Sequence, residues 1–159
     1  PHLRDRFFQT IDDEIQRLSR LIHDLLDLGR LEAGVAQLEK QSLSLQGLIN
    51  RAVRAIEPRM QARGVSINVN AIDLQIEGDP ERLLQELLNI LDNAIKHSLP
   101  NSVVFISSRK QGKQAIAEIT DQGEGISSRD LPHIFEQFYT TDPSRQGSGS
   151  GLGLAIAKR

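Results

Sequence analysis

The sequence predicts an α+β fold: a two-layer sandwich whose mixed sheet, from residues 65 to 120, is covered on one face by helices near 45–63, 80–98 and 151–159. A separate N-terminal helix would belong to a dimeric four-helix bundle. Three observations predict this. Apolar residues recur at Ile11, Ile15, Leu18, Ile22 and Leu25, a heptad seam in a stretch without Pro and, until Gly29, without Gly. Val65, Ile67 and Val69 alternate with Ser66, Asn68 and Asn70, and two further strand-like runs follow, SVVFISSR and QAIAEIT. Between them lies a strongly amphipathic stretch from Asp79 to Ser98.

In chain order, Phe7, Phe8, Leu21 and Leu28 widen the seam beyond what a two-stranded coiled coil requires, so a bundle must bury it. His23 falls beside the seam among polar neighbours and reads as a solvated helix residue. Gly34 is a C-cap candidate, and residues 35–44 read as a linker between a first segment, 1–34, and a domain covering 45–159. Leu48, Ile49, Val53, Ile56 and Met60 mark the helix of residues 45–63, with Pro58 as a possible kink and Gly64 as its end. Residues 74–77 supply a short strand. The stretch from Asp79 then opens with a capping carboxylate and with Pro80 at the first helical position, where its missing donor costs nothing. Lys110 to Lys113 forms the turn of a hairpin, with Gly112 available for positive φ. A short helical segment is expected near Ser127 to Phe135, then a polar loop from Thr140, a glycine tract and a last helix start, AIAK.

Composition excludes several classes. A net charge of −2 gives no global attraction to nucleic acid or an acidic membrane surface, so neither is expected as a partner. Cysteine is absent, which removes disulfides, thiolate zinc sites and thiol nucleophiles and suits a cytoplasmic setting. No apolar run reaches the roughly 18 residues that span a bilayer. Opening on Pro1 and stopping inside a helical pattern, the chain is expected to be a piece of a longer protein.

The helix from Asp79 carries a narrow polar stripe of Arg82, Glu86, Asn89, Asn93, Lys96 and His97. Two asparagines one turn apart are a poor choice for helix stability, because their amides compete for the backbone; the stripe is either a solvated face or a site. Glycine at every second position from Gly147 to Gly153, just before a helix, leaves backbone N–H groups able to wrap an anion, although such a tract also serves as a flexible loop. Asp121, at a strand end and followed by Gly123 and Gly125, reads as an ordinary Asx turn or as an acceptor for an exocyclic amine.

Taken together, these pieces resemble the sensor histidine kinases of the Bergerat-fold ATPase superfamily. LLNILDNAIKHS resembles the N box, DQGEGI the G1 box, IFEQFY the F box and GSGSGLGLAIAK the G2 box, while RLSRLIHDLLDLGRLEAG resembles the second helix of the dimerisation and phosphotransfer hairpin. The resemblance implies that ATP and Mg2+ are the cofactors. Asn93 would ligand Mg2+, Asn89 would support it, and Lys96 and His97 would reach phosphate oxygens, with Asn89, Asn93 and Lys96 as the catalytic set. Asp121 would take the adenine amino group beside Gly123, Gly125 and Ile126. Gly149, Ser150, Gly151, Leu152 and Gly153 would line the triphosphate, and residues from Tyr139 to Ser150 would form a lid supported by Phe135 and Phe138. A homodimer through the N-terminal helix and a response-regulator receiver domain would be the partners.

One position discriminates within the superfamily. Its water-activating members carry Glu four residues before the metal-binding Asn; here that residue is Asn89, and an amide cannot take a proton. Phosphoryl transfer to a histidine is therefore expected rather than hydrolysis. An ATP-hydrolysing relative with Glu86 as a displaced base, and a degenerate pseudokinase acting as a dimeric module, are the alternatives. The chain departs from the family in two places. None of His2, His23, His97 or His133 sits in the phosphoacceptor pattern, so the chain is expected to begin after the acceptor helix and not to autophosphorylate alone. The family also continues through two further strands, so the sheet is expected to be incomplete.

Overall fold

The computed structural model describes residues 38–140 and 153–157, together with Phe7, Phe8, Ile11, Ile15, Leu18, Ser19, Ile22, Leu26 and Gly29. It divides into two units, residues 38–134 and a second made of residues 1–37 and 135–159. In the first, the order is β1 (Gln41–Ser44), α1 (Leu45–Arg63), β2 (Ser66–Asn70), β3 (Gln75–Gly78), α2 (Pro80–His97), β4 (Val103–Gln111) and β5 (Gln114–Thr120). β2 and β4 pair in parallel from Ser66↔Val103 to Asn70↔Ser107, and β4 and β5 pair antiparallel from Phe105↔Thr120 to Gln111↔Gln114. The result is a mixed three-stranded sheet in the order β2-β4-β5.

α1 and α2 cover one face of it. Ile49, Ile56, Leu91, Ile95, Val104 and Ile106 are fully buried, and Ile67 and Ile119 pack against them from β2 and β5. Phe105, on the opposite face of β4, remains 44% exposed, so the sandwich has two layers here. Pro58 sits inside α1 without ending it. Ser44 caps α1 by accepting from Gly47 N at 2.9 Å, and Gly64 ends it in the left-handed region at φ 64. Gly112, at φ 61, makes the β4–β5 turn.

Three expectations need correction. Residues 41–44, read as the end of a linker, form β1, which runs directly into the α1 cap. β3 does not join the main sheet but pairs antiparallel with β1 in a separate two-stranded sheet, Gln41↔Gly78 to Ser44↔Gln75. Four-residue strands have too little periodicity to announce themselves; a partner more than thirty residues away decides them. Residues 128–135 form successive turns rather than a helix. Ser127 Oγ accepts from Asp130 N at 3.2 Å and Leu131 N donates to Ser127 O at 3.0 Å, which starts a helical turn. Pro132 has no N–H to continue it.

Asp79 anchors α2 from outside its first turn. Its Oδ1 accepts from Glu81 N at 3.1 Å and Arg82 N at 3.2 Å, and its Oδ2 from Glu39 N at 3.1 Å. The Arg82 amide above all, with those of Glu39 and Glu81, holds the Asp79 carboxyl below the usual aspartate range. Because the folded pKa lies below the unfolded one, this contribution is fully present above about pH 4 and is lost as pH falls through the folded value. Asp79→Asn, which keeps an acceptor but not the charge, should melt below the wild type at neutral pH. That gap should close toward pH 3; thermal melts showing a constant gap would refute the charge-assisted cap.

In the second unit, the described N-terminal positions are helical and their apolar side chains lie in solvent: Phe7, Phe8, Ile11, Ile15, Leu18, Ile22 and Leu26 are all exposed. Leu21, His23, Leu25 and Leu28 lie outside the described residues. A five-residue helix, α3 (Gly153–Ala157), closes the described chain, with Ala155 buried.

Candidate nucleotide site

The site is built from the polar stripe of α2 and the loop after β5. Leu91, Ala94 and Ile95 bury one side of α2, which leaves Asn89, Asn93 and Lys96 half-buried and His97 exposed on the other. Asn89 Nδ2 is enclosed and has no hydrogen-bond acceptor among the described residues. A buried amide donor without a partner is costly unless something outside the protein meets it. The C-terminal end of α2 is tied down by two donors. Ser98 Oγ bonds Ala94 O at 2.7 Å, and Arg63 Nη1 reaches across from α1 to Lys96 O at 3.3 Å. Lys96 and His97 also occupy the last turn, where the helix dipole favours cations.

The loop after β5 is brought to that end. Gly123 bridges to Ser98, outside any strand, and a Cβ at Gly123 would stand 2.4 Å from His97 O and 2.8 Å from Asp121 Oδ1. Only glycine permits the approach. Asp121 Oδ1 accepts from Gly123 N at 2.8 Å, an Asx turn that fixes the carboxylate while it stays exposed; its second oxygen has no partner among the described residues. The Asx turn and the acceptor, alternatives in the sequence, are therefore compatible. Gly125 turns the chain at φ 73, and Ile126 beyond it is 51% exposed. One sequence-silent contact completes the loop: Gln122 Oε1 accepts from Val103 N at 3.0 Å. No composition or spacing signal marks a side-chain acceptor between Asp121 and Gly123.

The remaining expected ligands belong to the second unit or lie outside the described residues. Gly149, Ser150, Gly151 and Leu152 lie outside the described residues. Gly153 opens α3, and Tyr139 N donates to Glu136 O at 3.3 Å, both in the second unit. Among the described residues no group of three or more His, Asp or Glu side chains gathers that could hold a metal by itself. The donors on α2 are amides, which suit a hard cation that takes most of its ligands from phosphates and water. The orphaned N–H of Asn89 suits a phosphate oxygen or a water, and the amide oxygen of Asn93 one turn on suits the cation.

Glu86 lies seven residues before Asn93 on the same stripe, about 10 Å back along the helix axis. With Leu83, Leu87 and Ile90 it lines a groove of about 1090 Å³ between α2, β3 and β5, which neither Asn89 nor Asn93 enters. Burial pushes its carboxyl up. That position speaks against Glu86 as a base for a water beside Asn93.

Residues 78–159 match the family model for the Histidine kinase-, DNA gyrase B-, and HSP90-like ATPase, and residues 1–34 match that for the His Kinase A (phospho-acceptor) domain. The sensor protein SphS of Synechococcus elongatus is 36% identical over 156 residues, which cover 92% of this chain and 38% of SphS. The histidine kinase AdeS of Acinetobacter baumannii superposes with a TM-score of 0.78 at 26% identity, covering 94% of this chain and 69% of that one. ShkA, whose full-length structure is a complex with AMPPNP, superposes at 0.82 and 26% identity over 97% of this chain and 32% of its own. The chain thus spans less than two fifths of the curated relative SphS. With the α2 stripe, the Asp121 loop and these likenesses in hand, the chain belongs to the histidine kinase-, DNA gyrase B- and HSP90-like ATPases, on the branch of the sensor histidine kinases.

Proposed function

We propose that this chain binds Mg-ATP and delivers the γ-phosphoryl group to a histidine nitrogen, with ADP as the leaving group, for relay to a response-regulator aspartate. The observation that carries the reading is the Gly123–His97 contact, which brings an exposed carboxylate suited to adenine to the end of the helix that bears Asn93 and Lys96. Asp121 would accept from the adenine amine. Asn93 would offer its amide oxygen to Mg2+, Asn89 would satisfy its buried Nδ2 on a phosphate or a bound water, and Lys96 and His97 would hold phosphate oxygens. When bound, Mg2+ supplies charge neutralisation between the phosphates. Catalysis by these residues is then positioning and electrostatics, with no proton for Asn89 to remove. Gly149, Ser150, Gly151, Leu152, Gly153 and Tyr139 would complete the phosphate side as a lid.

The helical seam supports a homodimer, since Phe7, Phe8, Ile15 and Leu18 are each more than half exposed in the isolated chain. No helix among the described residues is long and apolar enough to cross a membrane. Work on ATP would place this part of the protein in the cytoplasm, as a free protein or as the cytoplasmic part of a membrane-anchored sensor.

Titration with a non-hydrolysable ATP analogue, with and without Mg2+, tests the reading directly. Metal-dependent binding is expected; absence of binding in both arms refutes it. Steady-state phosphate release should be negligible, because position 89 is an amide and Glu86, about 10 Å back along α2 from Asn93, lines a groove that Asn93 does not. Sustained turnover would instead favour the hydrolase reading.

A further inference from the structure

The β4–β5 ladder ends at Phe105↔Thr120, although β4 begins two residues earlier at Val103. Continuing the antiparallel register by two residues would set Gln122 opposite Val103. The main chain does not follow: Gly123 leaves the sheet and pairs with Ser98 at the end of α2. The Val103 amide is nevertheless satisfied, by the side-chain Oε1 of Gln122 at 3.0 Å. A side-chain carbonyl thus takes the place of a ladder carbonyl, which lets the backbone depart without orphaning the edge of β4.

We propose that Gln122 is a positioning residue for the nucleotide base: its clasp on Val103, together with the seat of Gly123 on His97, sets where the Asp121 carboxylate stands. This rests on the Mg-ATP reading above. The clasp acts on the base side alone. Asn93 and Lys96 ride on α2, whose ends are held by Asp79, Ser98 and Arg63 through bonds that do not involve Gln122. Asp121, by contrast, is the residue next to the clasp, and its own fixed bond is to Gly123, within the same loop.

The test compares Gln122→Met, similar in length but a poor acceptor, with Gln122→Glu, which keeps an oxygen for Val103 N–H. In the 159-residue chain, calorimetry would measure Mg-bound ATP analogue and Mg-tripolyphosphate, and hydrogen exchange would follow the Val103 amide. For Gln122→Met we expect nucleotide binding weakened about three- to tenfold, the yield of one net hydrogen bond, with tripolyphosphate binding unchanged and Val103 exchanging faster. Gln122→Glu should restore nucleotide affinity and the protection of Val103, and likewise leave tripolyphosphate binding unchanged. Wild-type nucleotide affinity in the Met variant overturns the proposal, as does an equal loss for nucleotide and tripolyphosphate, which would mark a purely structural role. A wild-type chain that binds no nucleotide overturns the Mg-ATP reading itself and, with it, any role in base recognition.

Discussion

Asn93→Ala should weaken Mg-dependent binding of an ATP analogue by about a hundredfold or more, because loss of a mere outer-shell partner of a metal already costs 10–100-fold. The fold should survive. Asn93 lies half-buried on the polar side of α2, whereas Leu91, Ala94 and Ile95 make the buried side. Alanine also favours a helix interior over asparagine by about 0.5 kcal/mol, so the melting temperature should hold or rise slightly. That combination separates a ligand from a structural residue: a packing residue truncated to Ala loses stability first and binding as a consequence. The measurement is a pair of titrations, with Mg2+ and with EDTA, beside a thermal melt. If the variant binds the analogue with Mg2+ as the wild type does, Asn93 is not the metal's ligand. Asn89→Ala should have the milder effect on binding, since its buried Nδ2 is a supporting donor, and it also removes an unpartnered polar group.

What could be read from sequence follows from how local each signal is. Asp79-Pro80 announces the start of α2 because capping and a first-turn proline act within three residues, and the helix does begin at Pro80. The hairpin was equally legible, since Gly112 carries its turn alone. The apolar seam near the N-terminus was visible as a period, and the described side chains on it are exposed as an unpaired seam should be. What the sequence left hidden is decided at a distance. β1 exists because residues 75–78 return to it, and β3 therefore stands apart from the sheet that its neighbours build. Within the site, Asn93 and Asp121 were readable as residue types at helical and strand-end positions. The reason for Gly123 was not: it lies in a carbonyl at the end of α2, 26 residues earlier in the chain, and in the departure of the loop from β4 that Gln122 permits.

Gly123→Ala should therefore damage both stability and binding, through contact rather than conformation. Gly123 needs no left-handed φ; what it needs is the absence of a Cβ, which would lie 2.4 Å from His97 O and 3.0 Å from His97 C. Backbone atoms of a capped helix end cannot retreat like the tip of a flexible side chain. Lys96 O is held from α1 by Arg63, and Ser98 is bonded back to Ala94 O. The loop must move instead, taking Asp121 with it. Overpacking of this kind costs about 1–3 kcal/mol, a large share of the roughly 5–15 kcal/mol that holds a small domain. Urea denaturation should show a lower midpoint with an unchanged slope, and nucleotide affinity should fall even where the domain stays fully folded. Gly125→Ala supplies the contrast, because it meets open space and suffers only the strain of φ 73, about 1 kcal/mol. If the two variants lose nucleotide affinity equally, the seat of Gly123 on His97 does not position Asp121. If Gly123→Ala loses far more, the close approach of loop and helix is what assembles the base side of the site.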